Sequence, residues 1–179
     1  DSGGADGYFG SQLVTNTFVE NGGTVAGTLI VNQTVSNAAF NAVIRDGTYY
    51  SQTTTNLASA ALSIIKDGYG VLNLAASNYY TGATVVREGL LAVNGSHIGG
   101  GLYTVEAGGA LGGTGLIASA VHVLDGGMLA PGNSAGTLDI GSDLVFSNNA
   151  ILSFELMGTD STPGMARSPD SNCPVSSTS

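Results

Sequence analysis

One short unit recurs along the middle of this chain and limits the folds open to it. Arg45-Asp46-Gly47, Lys66-Asp67-Gly68, Arg87-Glu88-Gly89, Glu106-Ala107-Gly108 and Leu124-Asp125-Gly126 follow one another at steps of 21, 21, 19 and 18 residues. Each comes directly after an apolar or β-branched run: Ala42-Val43-Ile44, residues 62–65, Thr84-Val85-Val86, Tyr103-Thr104-Val105 and Val121-His122-Val123. Most are followed by another, such as Gly70-Val71-Leu72-Asn73-Leu74 or Gly89-Leu90-Leu91-Ala92-Val93. The repeating phrase is strand, glycine turn, strand, looser corner, strand. A fixed period of this length without helical spacing is what a solenoid requires, since each unit must bury its apolar face against its neighbours.

The expected fold is therefore all-β: a right-handed parallel β-helix, or β-solenoid, with coils of about 18–21 residues stacked at the ~4.8 Å strand spacing. Gly47, Gly68, Gly89, Gly108 and Gly126 are the structural turn residues and are expected to line up along one edge. The same register would stack Arg45, Lys66 and Arg87 in one column and Asp46, Asp67 and Glu88 in the next. Alternation along a strand makes Val71, Leu72 and Leu74, and likewise Val121 and Val123, competitors for inward positions. A sandwich or jelly roll also shows short strands with frequent turns, but its strands do not recur in phase. The best helix candidate, residues 57–65, has β-branched ends and no clear caps. Three regions follow: 1–24, an irregular N-terminal segment or cap; 25–158, the repeat domain; and 159–179, a Ser/Pro-rich tail expected to be disordered, a linker or foreign sequence.

Charge narrows the functional classes. Charged residues are 9% of the chain, against about 25% in an average soluble domain, so Ser, Thr and Asn must supply the polar surface. With four basic residues and a net charge of −9, no patch can neutralise phosphates, and neither nucleic acid nor an anionic membrane surface is an expected partner. No apolar stretch of about 18 residues is present to insert in a membrane as a helix. The chain starts at Asp1 without Met, as expected of a processed protein or an excised piece. Cys173 is the only cysteine, so no internal disulfide forms; a free exposed thiol is expected there, with intermolecular pairing as the alternative.

The central stretch resembles a known family. Lys66-Asp67-Gly68-Tyr69-Gly70-Val71-Leu72-Asn73-Leu74, Asn78-Tyr79-Tyr80-Thr81-Gly82-Ala83-Thr84-Val85-Val86 and Gly89-Leu90-Leu91-Ala92-Val93-Asn94-Gly95 are similar to the autotransporter-associated β-strand repeat, also called the passenger-associated transport repeat. The continuation from Gly108-Gly109-Ala110-Leu111-Gly112-Gly113-Thr114-Gly115 to Leu129-Ala130-Pro131-Gly132-Asn133-Ser134-Ala135-Gly136-Thr137-Leu138 looks like the usual sequel. The resemblance spans roughly residues 40–158. It implies a right-handed parallel β-helix stalk, exported across an outer membrane through a C-terminal barrel that these residues do not include. In that family the matching residues serve structure and secretion, not catalysis.

Other motifs were weighed against their structural context. Gly132-Asn133-Ser134-Ala135-Gly136 fits the G-x-S-x-G elbow of a serine nucleophile, but His97 and His122 both precede it, and a strand is expected after it instead of a helix. Gly113-Thr114-Gly115-Leu116-Ile117-Ala118 fits G-x-G-x-x-A, yet Ser119-Ala120-Val121-His122-Val123 behind it reads as strand, not the helix that a dinucleotide needs. Gly112-Gly113-Thr114-Gly115 opens like a calcium nonapeptide, with Ile117 in place of the acidic ligand. Stacked Asp46 and Asp67 leave only weak surface calcium, or a polysaccharide-cleaving groove with Tyr49-Tyr50 and Tyr79-Tyr80, as a remote alternative. His97 and His122 read as isolated surface or strand residues, and with Cys173 far away they make no zinc set. The Thr53-Thr54-Thr55 run does not recur on successive coils as an ice-binding array would. Asn32-Gln33-Thr34 and Asn94-Gly95-Ser96 are glycosylation sequons that matter only in a eukaryotic secretory host.

No catalytic, cofactor-binding or metal residue is assigned, no cofactor is expected, and the chain is not expected to be an enzyme. The expected function is mechanical: a secreted or surface-displayed stalk segment supporting extension and secretion-coupled folding, in the extracellular space or on a bacterial outer membrane. The alternatives are a self-associating fibre or matrix subunit, pairing end to end, and an adhesin that binds a surface glycan or host receptor.

Overall fold

The structure is a computed structural model and describes residues 18–23, 25–34, 38–49, 58–132 and 136–155. The described residues wind as a β-solenoid of about four turns, all-β with no helix among them. In chain order, β1 (Phe18–Glu20) leads into a first coil of β2 (Gly27–Asn32), β3 (Ala38–Phe40) and β4 (Val43–Arg45). A hairpin, β5 (Gly47–Tyr49) and β6 (Ala58–Ala60), then interrupts the winding. The next coil is β7 (Leu62–Asp67), β8 (Val71–Leu74) and an isolated bridge at Asn78. After it come β9 (Thr84–Val86), β10 (Gly89–Val93) and β11 (Ser96–His97), then β12 (Tyr103–Val105), β13 (Gly109–Gly113) and β14 (Leu116–Ile117). The winding closes with β15 (Val121–Val123), β16 (Met128–Pro131) and β17 (Asp139–Ile140), followed by β18 (Leu144–Phe146) and β19 (Ile151–Leu152).

Three faces result. The first is the six-stranded ladder β18-β15-β12-β9-β7-β2; the second is β19-β16-β13-β10-β8-β3; the third is β11-β14-β17. Every pairing within them is parallel, as it must be when each strand stacks on its counterpart one coil earlier. On the first face Ile64 pairs with Thr84, Thr84 with Tyr103 and Tyr103 with Val121, coil lengths of 20, 19 and 18 residues.

The period-2 pattern sets what fills the interior. Along β7 burial alternates strictly, with Leu62, Ile64 and Lys66 inside, so residues 58–65, the described part of the helix candidate, lie in β6 and β7 and form no helix. On β8 the competition resolves in favour of Leu72 and Leu74, with Val71 half-exposed. Leu72, Leu91, Leu111 and Leu129 stack in register as one buried ladder, and Val86, Val105 and Val123 as another. Each such leucine contributes roughly 1.5–3 kcal/mol through burial.

Gly68, Gly89, Gly108 and Gly126 occupy the corner between the first two faces, all with positive φ. Gly89 N–H donates to the Gly108 carbonyl at 3.2 Å, and Gly108 N–H to that of Gly126 at 3.3 Å. At Gly89 φ is +65°, and an added Cβ would lie 2.5 Å from the Gly70 carbonyl oxygen, so conformation and space both demand glycine.

Gly47 does not belong to that column. It starts β5, pairs antiparallel with Ala60, and lies after β4, which pairs with β1, instead of after a first-face strand. A Cβ there would run into the Asn21 backbone carbonyl, so its glycine answers a close approach and not a left-handed turn. The residues in register with Lys66 and Asp67 are Val31 and Asn32. The hairpin lengthens the first coil to the 35 residues between Leu29 and Ile64, and the 21-residue step from Arg45 to Lys66 crosses from one corner to another. Parallel pairing also starts within residues 1–24, where Phe18–Glu20 lies on β4. Residues 159–179, with Cys173, and Thr53-Thr54-Thr55 lie outside the described residues.

Truncating one rung tests the ladder. Leu111→Ala removes a fully buried side chain between Leu91 and Leu129 and is expected to cost about 2–5 kcal/mol in urea unfolding. Thr104→Ala, on the outward side of β12, is expected to cost less than about 1 kcal/mol.

Candidate functional site

The charged residues of the repeat do not form the columns expected of them. Lys66 pairs with Val86, one residue before Arg87, and therefore points inward. Its stem joins the core while its Nζ reaches the corner and donates to the carbonyls of Asp67, Gly68 and Glu88. Burial lowers its pKa, and the nearby Asp67 and Glu88 charges oppose that shift. Lys66 thus ties two successive turns together. Arg87 lies 3.9 Å from Glu106 on the next coil, so the neighbours along this edge have opposite charge. Arg45 is elsewhere: it pairs with Glu20 at 2.9 Å and covers the Phe18 ring at 3.7 Å.

Asp46 and Asp67 are on different corners, which removes both the stacked calcium pair and the two-carboxylate groove. Asp46 caps the base of the hairpin: Oδ1 accepts from the Leu62 and Thr81 N–H groups, each at 2.9 Å, and Oδ2 accepts from the Thr81 hydroxyl at 2.6 Å. Asp67 Oδ1 accepts from Gly68 N–H in its own turn. Among the described residues no group of three or more His, Cys, Asp or Glu side chains could hold a metal ion. Gly113 is followed by β14, a strand, and a dinucleotide-binding helix is absent there. Asn133, Ser134 and Ala135 of the elbow-like motif lie outside the described residues.

The main polar cluster is internal. Tyr80, Thr84, His97 and Tyr103 are all fully buried where the third face turns into the first. The Tyr80 hydroxyl is 2.7 Å from the Thr84 hydroxyl and 3.2 Å from that of Tyr103. His97 stacks on Tyr80 with ring centroids 4.0 Å apart and meets Tyr103 at a tilt of 58° with centroids 5.3 Å apart. His97 is therefore not a surface residue. It takes the inward rung between Asn78 and Ile117. His122, on the outward side of β15, is half-buried.

Hydrogen bonding fixes the state of this cluster. His97 Nε2 lies 2.8 Å from the Tyr80 carbonyl, which only accepts, so Nε2 carries the proton. Nδ1 has no partner. Burial lowers the His97 pKa, against the opposing effects of the Tyr80 carbonyl and the Asp46 charge. Burial also pushes Tyr80 up to about 12 and Tyr103 well above the usual phenol range. All three are neutral near pH 7. Asn78 completes the surround: its Oδ1 accepts from Ile44 N–H and its Nδ2 donates to the Ala76 carbonyl, binding β4 to the coil above. The clue in the sequence is the i, i+2 spacing of Asn78 and Tyr80, which sends both inward while Tyr79 stays exposed.

No protein-family profile matches the chain, and no solved structure matches it. Two curated proteins do. The chain is 36% identical over 93 residues to an extracellular serine protease of Serratia marcescens, covering 52% of this chain and 9% of that protein. It is 42% identical over 76 residues to the adhesin BmaC autotransporter of Brucella suis biovar 1 (strain 1330), covering 42% of this chain and 2% of that protein. The chain thus spans less than a tenth of the length of these relatives. A β-solenoid related to an extracellular serine protease and to an autotransporter adhesin is consistent with an autotransporter passenger segment.

The buried imidazole makes stability depend on pH. The folded pKa of His97 lies below its unfolded value of about 6.5, so on acidification the unfolded chain takes up a proton that the folded chain refuses. The His97 contribution is intact above pH 6.5 and is lost as pH falls below it, with a slope of up to about 1.4 kcal/mol per pH unit. Urea unfolding between pH 7.5 and 5.5 is expected to show this loss in the native chain, and His97→Leu is expected to flatten it.

Proposed function

We propose that this chain is a stalk segment of a secreted or surface-displayed autotransporter-type passenger, whose work is extension and support of folding coupled to secretion. The observation that carries this reading is the continuous stacking of apolar rungs and glycine corners from β7 to β16. The polar and charged side chains of the repeat are engaged within that stack: Lys66 and Asp67 on turn backbone, Asp46 on Leu62 and Thr81, and the Tyr80 cluster in the core. The relatives support an extracellular or surface location and a passenger role. The autotransporter-associated β-strand repeat, on which the resemblance of residues 40–158 rests, belongs to the same proposal. No catalytic residue is proposed.

Adhesion is the second reading. It is favoured by the adhesin among the relatives and by the Gly47–Ala60 hairpin, which departs from an otherwise regular wall. Binding of the isolated chain on a glycan array would support it.

Grafting tests the stalk reading. Placed ahead of an outer-membrane barrel translocator in a bacterial host, the chain is expected to reach the cell surface and leave a protease-resistant core after surface digestion. Leu111→Asp, which puts a charge in the leucine ladder, is expected to abolish the resistant core and reduce display. Retention of the native chain in the periplasm, or equal display and resistance of both chains, would contradict the proposal.

A further inference from the structure

Two asparagines in the chain directly precede a glycine, Asn21 and Asn94. This dipeptide is chemically labile, because glycine has no Cβ to hinder its own nitrogen from closing on the neighbouring side-chain amide. The fold treats the two copies differently. Gly95 belongs to the stack: its N–H donates to the Leu74 carbonyl at 2.9 Å, and its carbonyl accepts from Leu116 N–H at 3.0 Å. The Asn94 amide is held between coils, with Nδ2 donating to Asn73 Oδ1 at 2.8 Å and Oδ1 accepting from Thr114 N–H at 3.0 Å. The Gly95 nitrogen cannot turn onto Asn94 Cγ unless coils part.

Gly22 is exposed in the turn after β1, and nothing lies within 4 Å of where its Cβ would stand. Among the described residues neither its N–H nor its carbonyl has a hydrogen-bond partner. Asn21 Nδ2 donates to the Val25 carbonyl at 2.7 Å and to the Ala61 carbonyl at 3.1 Å, and Oδ1 accepts from Gly23 N–H at 3.0 Å. The bonds to Val25 and Gly23 are open to water, so local opening of the turn frees this side chain without unstacking a coil. Asp46 accepts from Leu62 N–H, the other end of the same Ala61–Leu62 peptide group. Asn21 and Asp46 thus hold one peptide from both ends, where the hairpin β5–β6 rejoins the coils.

We propose that Asn21 is a site of spontaneous deamidation that loosens the base of the hairpin as it proceeds, while Asn94 is shielded by the stack. Gly22 N attacks Asn21 Cγ and gives up its proton; the Cγ–Nδ2 bond breaks, and the side-chain nitrogen leaves as ammonia, closing a succinimide. Water opens that ring at either carbonyl and leaves aspartate or isoaspartate at position 21. The donor that faced the Val25 and Ala61 carbonyls is then replaced by a carboxylate, which only accepts. The inference rests on the surroundings of the two glycines and is independent of the stalk reading.

Peptide mapping by mass spectrometry of the full chain, aged in mildly alkaline buffer, tests it. In the folded chain Asn21 is expected to convert at least about tenfold faster than Asn94, whereas in urea the two are expected to convert at similar rates. Gly22→Ala, which the open space accommodates, is expected to slow conversion at position 21 because the added methyl hinders ring closure. In hydrogen exchange Asn21→Asp is expected to speed the amides of β5 and β6 at least about threefold relative to those of β12 and β13. An Asn21 that stays intact in the folded chain, an Asn94 that converts there as fast as Asn21, or unaltered exchange at β5 and β6 would each overturn the proposal.

Discussion

The whole molecule depends on parallel strand stacking in register, with an aliphatic side chain delivered to the same interior spot once per coil. Main-chain hydrogen bonds alone would not fix that register, because a slip of one residue leaves them intact. It would, however, turn every inward side chain to the outside. The leucines from Leu72 to Leu129 and the valines from Val86 to Val123 oppose such a slip at each level. The glycine corner follows from the same constraint, since backbone approaches backbone there at every turn and leaves no room for a Cβ at Gly89.

Polar groups inside the stack are tolerated because each finds work at a corner. Lys66 enters the core as a hydrocarbon stem and leaves it as an ammonium held by three carbonyls. Tyr80, Thr84 and Tyr103 satisfy one another. His97 and Ser119 are exceptions: His97 has one nitrogen bonded and one bare in the interior, and the buried Ser119 Oγ has no hydrogen-bond partner. Asp46 and Asn78 do a related job at the break in the pattern, fastening the hairpin and β4 to the regular coils above. The insertion is accommodated because these side chains replace the ladder contacts that it interrupts.

The period of the coils and the candidacy of Val71, Leu72 and Leu74, and of Val121 and Val123, for inward positions were legible in the sequence, because both follow from turn chemistry and strand alternation; that Leu72 and Leu74 win over Val71 came from the structure. The first coil was not. Arg45-Asp46-Gly47 copies the spelling of the true corners and happens to fall one period before Lys66, but its glycine serves a hairpin base. A triplet records that a tight turn is present and carries no label for which corner it occupies. The placement of Lys66 was missed for a similar reason: a one-residue difference in corner length moves a lysine from the surface to the interior, and no local pattern reports it. Nor could isolated residues foretell that Tyr80, His97 and Tyr103, scattered across three successive coils, would meet in the core.

Spin labels placed in pairs on the outward column of the first face measure the winding directly. Ile65, Val85, Thr104, His122 and Val145 follow one another in register along it. With one label at Residue 65 and the other moved along the column, separations are expected to climb in even steps of about 4.8 Å, reaching roughly 19 Å at Val145. Separations that fail to rise in that order, as two sheets packed face to face would produce, would contradict the stacked coil on which everything else is built.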